Sequence, residues 1–230
     1  MKRPSQVVFL FDVDNTLLDN DQIEKDLRGH LESEFGTEAR DRYFAVFEGL
    51  RTELGYADYL GALQRYRLEK LCDVRLLMMS SFLVDYPFSN RLYPGSLDAI
   101  EHVQNWGSTV ILSDGDVVFQ PRKVQRSGLW ETVMGRVLIY IHKEEMLNDV
   151  ERHYPARHYV MVDDKLRILA AMKKVWDDRL TTVWPCQGHY AHDSSTNALY
   201  PPADIVIDHI GDLVNYDLLS LVSPRKRPRP

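Results

Sequence analysis

The chain has 230 residues, of which 44% are hydrophobic and 27% charged, and its formal net charge is −6. This length and balance are typical of a globular protein with a substantial core, and they exclude a peptide-like module. An acidic chain has no overall positive field to attract nucleic acid or an anionic membrane surface, so we expect neither as a partner. The oligomeric state cannot be read from the sequence.

The two cysteines, Cys72 and Cys186, lie far apart, which argues against a disulfide framework and for a reducing compartment. The charged start MKRPSQ is followed by an apolar run of only residues 7–11, too short for a signal peptide. No stretch approaches the roughly 20 apolar residues that a membrane span requires. We therefore expect a soluble, cytoplasmic protein.

Short apolar runs rich in β-forming residues recur along the chain and predict buried strands. They cover residues 7–11, 109–112, 137–141, 159–162, 181–184 and 205–207. Helical patterns lie between them: one capped by Ser96 and stopped by Gly107, one between Pro121 and Gly128, and two more at 144–152 and 165–176. Alternating strands and helices predict a Rossmann-like α/β core with a mostly parallel sheet.

Residues 20–90 interrupt that alternation, because they contain no convincing strand. Asp21 and Glu24 resemble a capping box, and four apolar faces follow at helical spacing. The faces are Ile23, Leu27 and Leu31; Tyr43, Phe47, Leu50 and Leu54; Tyr59, Leu63 and Tyr66; and Val74, Leu77, Met78 and Ser81. We predict an all-helical insert at 20–90 within a discontinuous core of residues 1–19 and 91–222. The basic tail 223–230, SPRKRPRP, is interpreted as disordered rather than as a nuclear signal or an RNA contact.

Asp12 and Asp14 follow the first predicted strand, where ligands bind in open α/β sheets. Two neighbouring carboxylates repel each other unless a proton or a cation neutralises them, and Mg²⁺ suits oxygen ligands. The alternative is a pair of solvated turn residues. Asp163 and Asp164 form a second acidic pair after the strand YVMV, and they strengthen the interpretation as a metal site.

The second strand, TVILSDGD, ends in Ser113, Asp114 and Gly115. A hydroxyl and backbone amides at such a turn can hold phosphate oxygens. Lys143 follows the third strand and could supply a positive charge for a phosphate, although a single lysine is more often an ordinary surface residue.

In this order, FDVDNTLLD, LSDGD, Lys143 in YIHKEEML, and VMVDD resemble the motifs of the haloacid dehalogenase superfamily. The resemblance covers about residues 7–18 and 94–210. It implies that the helical insert is a mobile cap over the active site. It also implies Mg²⁺-dependent hydrolysis of a small phosphomonoester through an aspartyl-phosphate.

The resemblance assigns a role to each matching residue. Asp12 would be the nucleophile, and Asp14 would be the general acid and then the general base, with its backbone carbonyl on the metal. Thr16 would brace the loop. The transferring phosphoryl group would be held by Ser113, Lys143 and the amide of Asp114. The metal would be bound by Asp12, Asp14, Asp163 and Asp164, with Asp164 acting directly or through water.

One departure concerns Asp114, which stands where many relatives have asparagine, so we expect its carboxylate to point away from the phosphate. The resemblance also implies that dehalogenases of the superfamily lack a carboxylate at the position of Asp14, which favours phosphoryl transfer. A phosphomutase of the same fold remains open, and a 2-haloacid dehalogenase and a non-catalytic binding module are less favoured. The substrate is not determined.

Three further groups of residues each have an alternative interpretation. Cys186, His189 and His192 are spaced closely enough for a zinc site, but no fourth ligand is evident and an ordinary loop is the preferred interpretation. The aromatic residues of the insert are expected to be core residues first and pocket residues second. Arg51, Arg65 and Arg67 could reach an anionic substrate, although solvated arginines are the default.

Overall fold

The computed structural model describes residues 5–71 and 73–216. The predictions for the first four residues, for Cys72 and for the basic tail lie outside this range. A six-stranded sheet in the order β3-β2-β1-β4-β5-β6 forms the centre, and every pairing is parallel. Its strands are β1 (Ser5–Phe11), β2 (Ser108–Asp114), β3 (Val137–Tyr140), β4 (Ala156–Val162), β5 (Leu180–Pro185) and β6 (Ile205–Ile207). The predicted strands and the Rossmann-like fold are confirmed.

Strand β1 is central and is buried on both faces, as its uninterrupted apolar sequence indicates. Val7, Phe9 and Phe11 pack into the larger hydrophobic cluster, which also contains the apolar faces of the insert. Val8 and Leu10 point to the opposite side of the sheet, against β4 and the helix that follows it. The end of β1 is therefore held rigidly in the middle of the carboxyl edge.

Helices cover both faces of the sheet. They are α5 (Ser96–Val103), α6 (Phe119–Arg126), α7 (Leu129–Thr132), α8 (Leu147–His153), α9 (Leu166–Trp176), α10 (Gly188–His192) and α11 (Ser194–Asn197). Short 3₁₀ segments lie at Phe88–Arg91, Lys143–Glu145, Asp177–Arg179 and Ile210–Asn215. Among the residues that the structure describes, no helix combines the length and apolar character of a membrane span.

Two of the predicted helix starts are wrong. Ser96 is the first residue of α5 and not its cap, because its hydroxyl donates a 2.8 Å hydrogen bond to the carbonyl of Leu17. Helix α6 begins at Phe119, two residues before Pro121, because the Asp116 carboxylate accepts hydrogen bonds from the amides of Val118 and Phe119 at 2.8 and 2.6 Å. The side chains facing the sheet edge from α6 therefore include Gln120, which was outside the predicted helix.

The inserted helices are α1 (Asn20–Phe35), α2 (Thr37–Leu54), α3 (Tyr59–Arg67) and α4 (Arg75–Asp85). The apolar faces predicted for the first three are buried, with Leu54 partly so. The N-cap of α1 is Asp19, whose carboxylate accepts from the Gln22 amide at 2.9 Å. The predicted capping box of Asp21 and Glu24 is therefore wrong, and Asp21 is available for contacts with the core.

The face predicted for α4 is also wrong. Leu76, Met79 and Leu83 are the buried residues of this helix, whereas Leu77 and Met78 are 61% and 69% exposed. Apolar residues occupy nearly every side of α4, so the 3.6-residue period could not identify the buried side. Burial was decided by the position of the neighbouring helices.

The insert leaves and re-enters the core at one point. Leu18 forms an antiparallel bridge with Leu92, and the Asp19 amide donates a 2.7 Å hydrogen bond to the carbonyl of Arg91. The Tyr93 amide donates to the carbonyl of Leu17 at 2.9 Å. These backbone contacts agree with the predicted boundaries at 19/20 and 90/91, which remain predictions as domain limits.

Candidate active site

The ends of four neighbouring strands bring the predicted site residues together. Asp12 follows β1, Ser113 lies at the end of β2, Lys143 comes three residues after β3, and Asp163 follows β4. The parallel strands present these ends at one edge of the sheet, and all four side chains are buried. This edge of the sheet therefore carries a cluster of buried polar side chains that is surrounded by apolar core residues.

Lys143 is the buried cation of this site. Its Nζ lies 2.5 Å from Asp12 Oδ1 and 2.7 Å from Asp163 Oδ2. Burial alone would lower the pKa of Lys143, but the attraction of Asp12 and Asp163 outweighs it, and the pKa is raised above its ordinary value. Lys143 therefore stays charged and can hold an anion that is brought beside Asp12.

Asp12, Asp163 and Asp164 form an acidic cluster in which one carboxylate oxygen from each residue lies within 4.8 Å of the others. Asp164 is fully buried, and neither of its carboxylate oxygens has a hydrogen-bond partner among the residues that the structure describes. Burial raises its pKa well above the ordinary value even though the positive charge of Lys165 acts against it, and the negative charge of Asp163 adds to the rise. A buried carboxylate without a partner is strongly unfavourable unless a cation neutralises it, and three carboxylates suit Mg²⁺. The residues present thus fit a divalent cation.

Backbone and hydroxyl contacts fix the cluster in place. Thr16 Oγ1 donates to Asp12 Oδ2 at 3.3 Å and accepts from the Asp164 amide at 3.0 Å. The Lys165 amide donates to Asp163 Oδ1 at 2.9 Å, and Trp184 Nε1 donates to the Asp164 carbonyl at 2.8 Å. Thr16 therefore ties the loop after β1 to the loop after β4, which agrees with the bracing role that the resemblance implies.

The carboxylate of Asp14 points away from this cluster. Its Oδ1 lies 2.6 Å from Lys123 Nζ, and its Oδ2 accepts a long 3.4 Å contact from Gln120 Nε2. The Asp14 side chain is half-buried and lines the adjacent cavity. Its side chain is thus separated from the predicted metal site, and its backbone carbonyl remains the predicted metal ligand.

Ser113 is oriented by a residue that the sequence did not indicate. Gln120 Nε2 donates a 2.9 Å hydrogen bond to Ser113 Oγ, and both side chains are buried. The Ser113 hydroxyl donates its proton to the Asp114 carbonyl in a long hydrogen bond of 3.4 Å. Gly115 makes this arrangement possible, since a Cβ there would lie 2.6 Å from the Cβ of Gln120.

The carboxylate of Asp114 is engaged with the backbone. Its Oδ1 accepts a 2.7 Å hydrogen bond from the Lys143 amide. Burial raises the pKa of Asp114 despite the nearby charge of Lys143, which acts in the opposite direction. This contact holds the loop after β2 to the loop after β3 and so helps to place Lys143 beside Asp12.

A left-handed residue at the exit of β1 connects the core to the insert. Asn15 has φ +60°, and its Oδ1 accepts from the amides of Asn20 and Asp21 at 3.0 and 3.2 Å. Gly188 packs against it so closely that a Cβ would lie 2.6 Å from the Cβ of Asn15. The loop between Asp14 and α1 is therefore fixed from both sides.

The loop containing Cys186, His189 and His192 does not form a metal cluster in the described residues, where Asp12, Asp163 and Asp164 are the group with that geometry. His189 instead contacts Asp21, with Nδ1 2.5 Å from Oδ1. Burial tends to raise the pKa of Asp21, but hydrogen bonds from His189 and Asn15 outweigh it and lower the pKa. This loop thus docks on the start of α1.

A cavity of about 210 Å³ lies between the inserted helices and the edge of the sheet. Arg51, Phe47 and Tyr59 line it from the insert, and Arg51 donates a hydrogen bond to the hydroxyl of Tyr190 from the core. Tyr43 and Tyr66 are core residues of the insert, and Arg65 is paired with Glu53 at the surface. Arg51, Phe47 and Tyr59 thus reach the cavity. The other residues pack inside the insert or lie at the surface.

Lys123 is the residue whose location departs most from sequence expectation. It is 1% exposed and was not singled out, because a lysine in a short polar helix is normally a surface residue. The sequence nevertheless contains a spacing that indicates burial. Phe119, Gln120, Lys123 and Val124 lie at positions i, i+1, i+4 and i+5, and all are buried. Helical spacing therefore placed Lys123 on the inner face.

Solved structures of known proteins have the same fold. A haloacid dehalogenase-like hydrolase from Burkholderia xenovorans LB400 is 67% identical, with a TM-score of 0.89, and the match covers 93% of this chain and all of that one. A HAD-hydrolase from Bacillus subtilis bound to magnesium is 18% identical, with a TM-score of 0.58, over 93% of this chain and 98% of that one.

An L-2-haloacid dehalogenase from Xanthobacter autotrophicus with covalently bound chloropropionic acid is 17% identical, with a TM-score of 0.56, over 94% of this chain and 98% of that one. No protein-family model matches the chain, and no curated protein matches it significantly. The similarity to the Burkholderia protein is high and extends over nearly the whole chain. The chain therefore belongs to the haloacid dehalogenase-like hydrolases.

Proposed function

We propose that the protein is a Mg²⁺-dependent phosphatase that hydrolyses a small phosphomonoester through an aspartyl-phosphate on Asp12. The observation that carries this proposal is the carboxylate of Asp14, which lies in the cavity two residues after Asp12 and outside the acidic cluster. An ester oxygen must be protonated as it leaves, whereas a halide leaves without a proton. In the first step, a carboxylate at this place therefore has a task as general acid in ester hydrolysis that the loss of a halide does not require.

In the first step, the Asp12 carboxylate attacks phosphorus, and the bond between phosphorus and the ester oxygen breaks. Asp14 gives its proton to that oxygen, and the alcohol departs. Lys143, 2.5 Å from Asp12, and the hydroxyl of Ser113, which would exchange its long hydrogen bond to the Asp114 carbonyl for one to the substrate, stabilise the charge on the phosphoryl oxygens.

In the second step, Asp14 accepts a proton from water, and the resulting hydroxide attacks phosphorus and breaks the bond to Asp12. Inorganic phosphate leaves, and both aspartates return to their starting states. Thr16, which contacts both Asp12 and the Asp164 amide, keeps the nucleophile in place in both steps. Closure of the insert over the cavity would exclude bulk water.

The divalent cation would be held by Asp12, Asp163 and the backbone carbonyl of Asp14, with Asp164 acting directly or through water. When bound, it supplies positive charge that offsets the repulsion between the anionic nucleophile and the anionic phosphate. The support from this chain is the buried Asp164 carboxylate without a hydrogen-bond partner.

The small cavity supports a small substrate, because about 210 Å³ is below the usual range of roughly 300–1,000 Å³ for drug-sized ligands. A phosphomutase would use the same first step and return the phosphoryl group to a sugar. One finding supports the alternative function of a dehalogenase: the fold of this chain is shared with L-2-haloacid dehalogenases. In that reaction Asp12 would attack the carbon that bears the halogen, the carbon–halogen bond would break, and halide would leave.

The test is hydrolysis of phosphate esters in Mg²⁺ and ¹⁸O-labelled water by the wild-type protein and Asp12→Asn. We expect label in the released phosphate with the wild type and no turnover with Asp12→Asn. Unlabelled product with transfer to a sugar would establish a mutase. Halide release from a 2-haloacid, without phosphate release, would establish a dehalogenase.

A further inference from the structure

Lys123 is a buried lysine whose charged end meets the proposed acid and base. It lies in the middle of α6 and is 1% exposed. Its Nζ is 2.6 Å from Asp14 Oδ1 and 3.0 Å from Asn20 Oδ1. The same group lies 5.1 Å from the centre of the Phe119 ring. The lysine is thus enclosed by core residues, while its carboxylate partner faces the cavity.

A buried ammonium is maintained only where its partners compensate for lost hydration, and replacing such pairs with apolar residues is often neutral or stabilising. A purely structural pair has no reason to involve a carboxylate in a ligand cavity. Asp14 is 28% exposed in its side chain and lies in that cavity. The placement of this pair therefore points to a role in the reaction.

The two oxygens of Asp14 have different environments. Oδ1 is engaged by Lys123 at 2.6 Å, whereas Oδ2 receives only the 3.4 Å contact from Gln120. A carboxylate fixed through one oxygen has a defined direction for the other. Oδ2 is therefore the oxygen that can carry and return the proton.

We propose that Lys123 is a positioning residue that holds Asp14 by Oδ1 and so presents Oδ2 to the leaving oxygen and then to water. This proposal rests on the proposed phosphatase function. The contact with Asn20, the first residue of α1, ties this arrangement to the base of the insert.

Two kinetic consequences distinguish positioning from a structural role. Protonation matters most for a strongly basic leaving group, so loss of Lys123 should affect alkyl phosphates more than an ester with a weakly basic leaving group. Asp14 also activates water in the second step for every substrate. Loss of Lys123 should therefore slow hydrolysis of the phosphorylated enzyme whatever the leaving group was.

The experiment compares the wild type with Lys123→Met, a substitution of similar shape, using glycerol phosphate and 2,4-dinitrophenyl phosphate in Mg²⁺. We expect kcat/KM for glycerol phosphate to fall about 100-fold, and kcat/KM for the aryl ester to fall less than about threefold. Rapid mixing with the aryl ester should show a burst of about one equivalent of dinitrophenolate before a slow steady state.

The matched control is Lys173→Met, which removes another lysine paired with a carboxylate, Asp204 at 2.8 Å, outside the cavity. It should leave the ratio of the two kcat/KM values unchanged. Should Lys123→Met not fold, as judged by circular dichroism, Lys123→Gln replaces it in the same comparison. An equal loss on both esters, or no loss on either, would overturn the proposal. A wild type inactive on both esters would instead refute the phosphatase function on which the proposal depends.

Discussion

Asp164→Asn should stabilise the metal-free protein and should lose most of the stabilisation that Mg²⁺ gives to the wild type. In the metal-free protein, Asp164 is a buried carboxylate whose oxygens lack hydrogen-bond partners. Removing its charge should raise the free energy of unfolding in EDTA by about 1–3 kcal/mol. For a chain of this size, each kcal/mol corresponds to about 2–4 °C in Tm.

Mg²⁺ should stabilise the wild type because it binds the folded protein. At 100 times its Kd it adds about 2.7 kcal/mol. Asp164→Asn should lose most of this increment. Thermal unfolding of the wild type and of Asp164→Asn, each in EDTA and in millimolar Mg²⁺, gives the four Tm values to compare. Asp204→Asn is the control, since Asp204 pairs with Lys173 and its loss should lower Tm equally in both conditions.

The reasoning would be refuted if Asp164→Asn were less stable than the wild type in EDTA. Equal stabilisation of both proteins by Mg²⁺ would show that Asp164 does not contribute to a metal site. These outcomes distinguish the effect of the unfavourable buried charge from that of the bound cation.

Three further predictions follow from the same geometry. Because the folded pKa of Asp164 is raised, the folded wild type binds more protons than the unfolded chain. In EDTA, the wild type should therefore have a lower Tm than Asp164→Asn. This difference in Tm should be largest above the pKa of Asp164 in the folded protein, and it should disappear as the pH falls toward 3.8, the ordinary pKa. Gly188→Ala should destabilise the protein by about 1–3 kcal/mol in urea unfolding, because Gly188 has φ +73° and its new Cβ would collide with Asn15; unchanged stability would contradict this packing. Lys143→Met should abolish phosphate release and lower stability by about 3–5 kcal/mol, because Asp12 and Asp163 lose their buried partner, and near-normal turnover would remove Lys143 from the mechanism.

The sequence predicted the features that depend on local pattern and chain order. Apolar runs located the six strands, and the residues immediately after them fall at one edge because parallel strands end together. Asp12 and Asp163 were therefore placed correctly at the edge without any knowledge of distances. Their assigned roles remain predictions that the experiments above test.

The sequence could not predict features that depend on packing between distant segments. The exposed side of α4 was misassigned because its apolar residues surround the helix. Lys123 was overlooked because its partners, Asp14 and Asn20, are more than 100 residues away in sequence. The sequence alone could not exclude a zinc site at His189, because Asp21, the residue that its Nδ1 contacts, is far away in sequence.

Because the insert leaves and re-enters the rest of the chain at neighbouring positions, we predict that the inserted helices can be exchanged without altering the sheet. The chain leaves after Leu18 and returns at Leu92, which already form an isolated bridge, so a different insert needs only to begin and end at two neighbouring positions. Exchange of this segment would leave the register of β1 with β2 and β4 unchanged. New cavity walls can thus be acquired in one recombination event while Asp12, Lys143 and Asp163 stay in place. Such an exchange would change the residues that contact the substrate without changing those proposed to carry out the reaction.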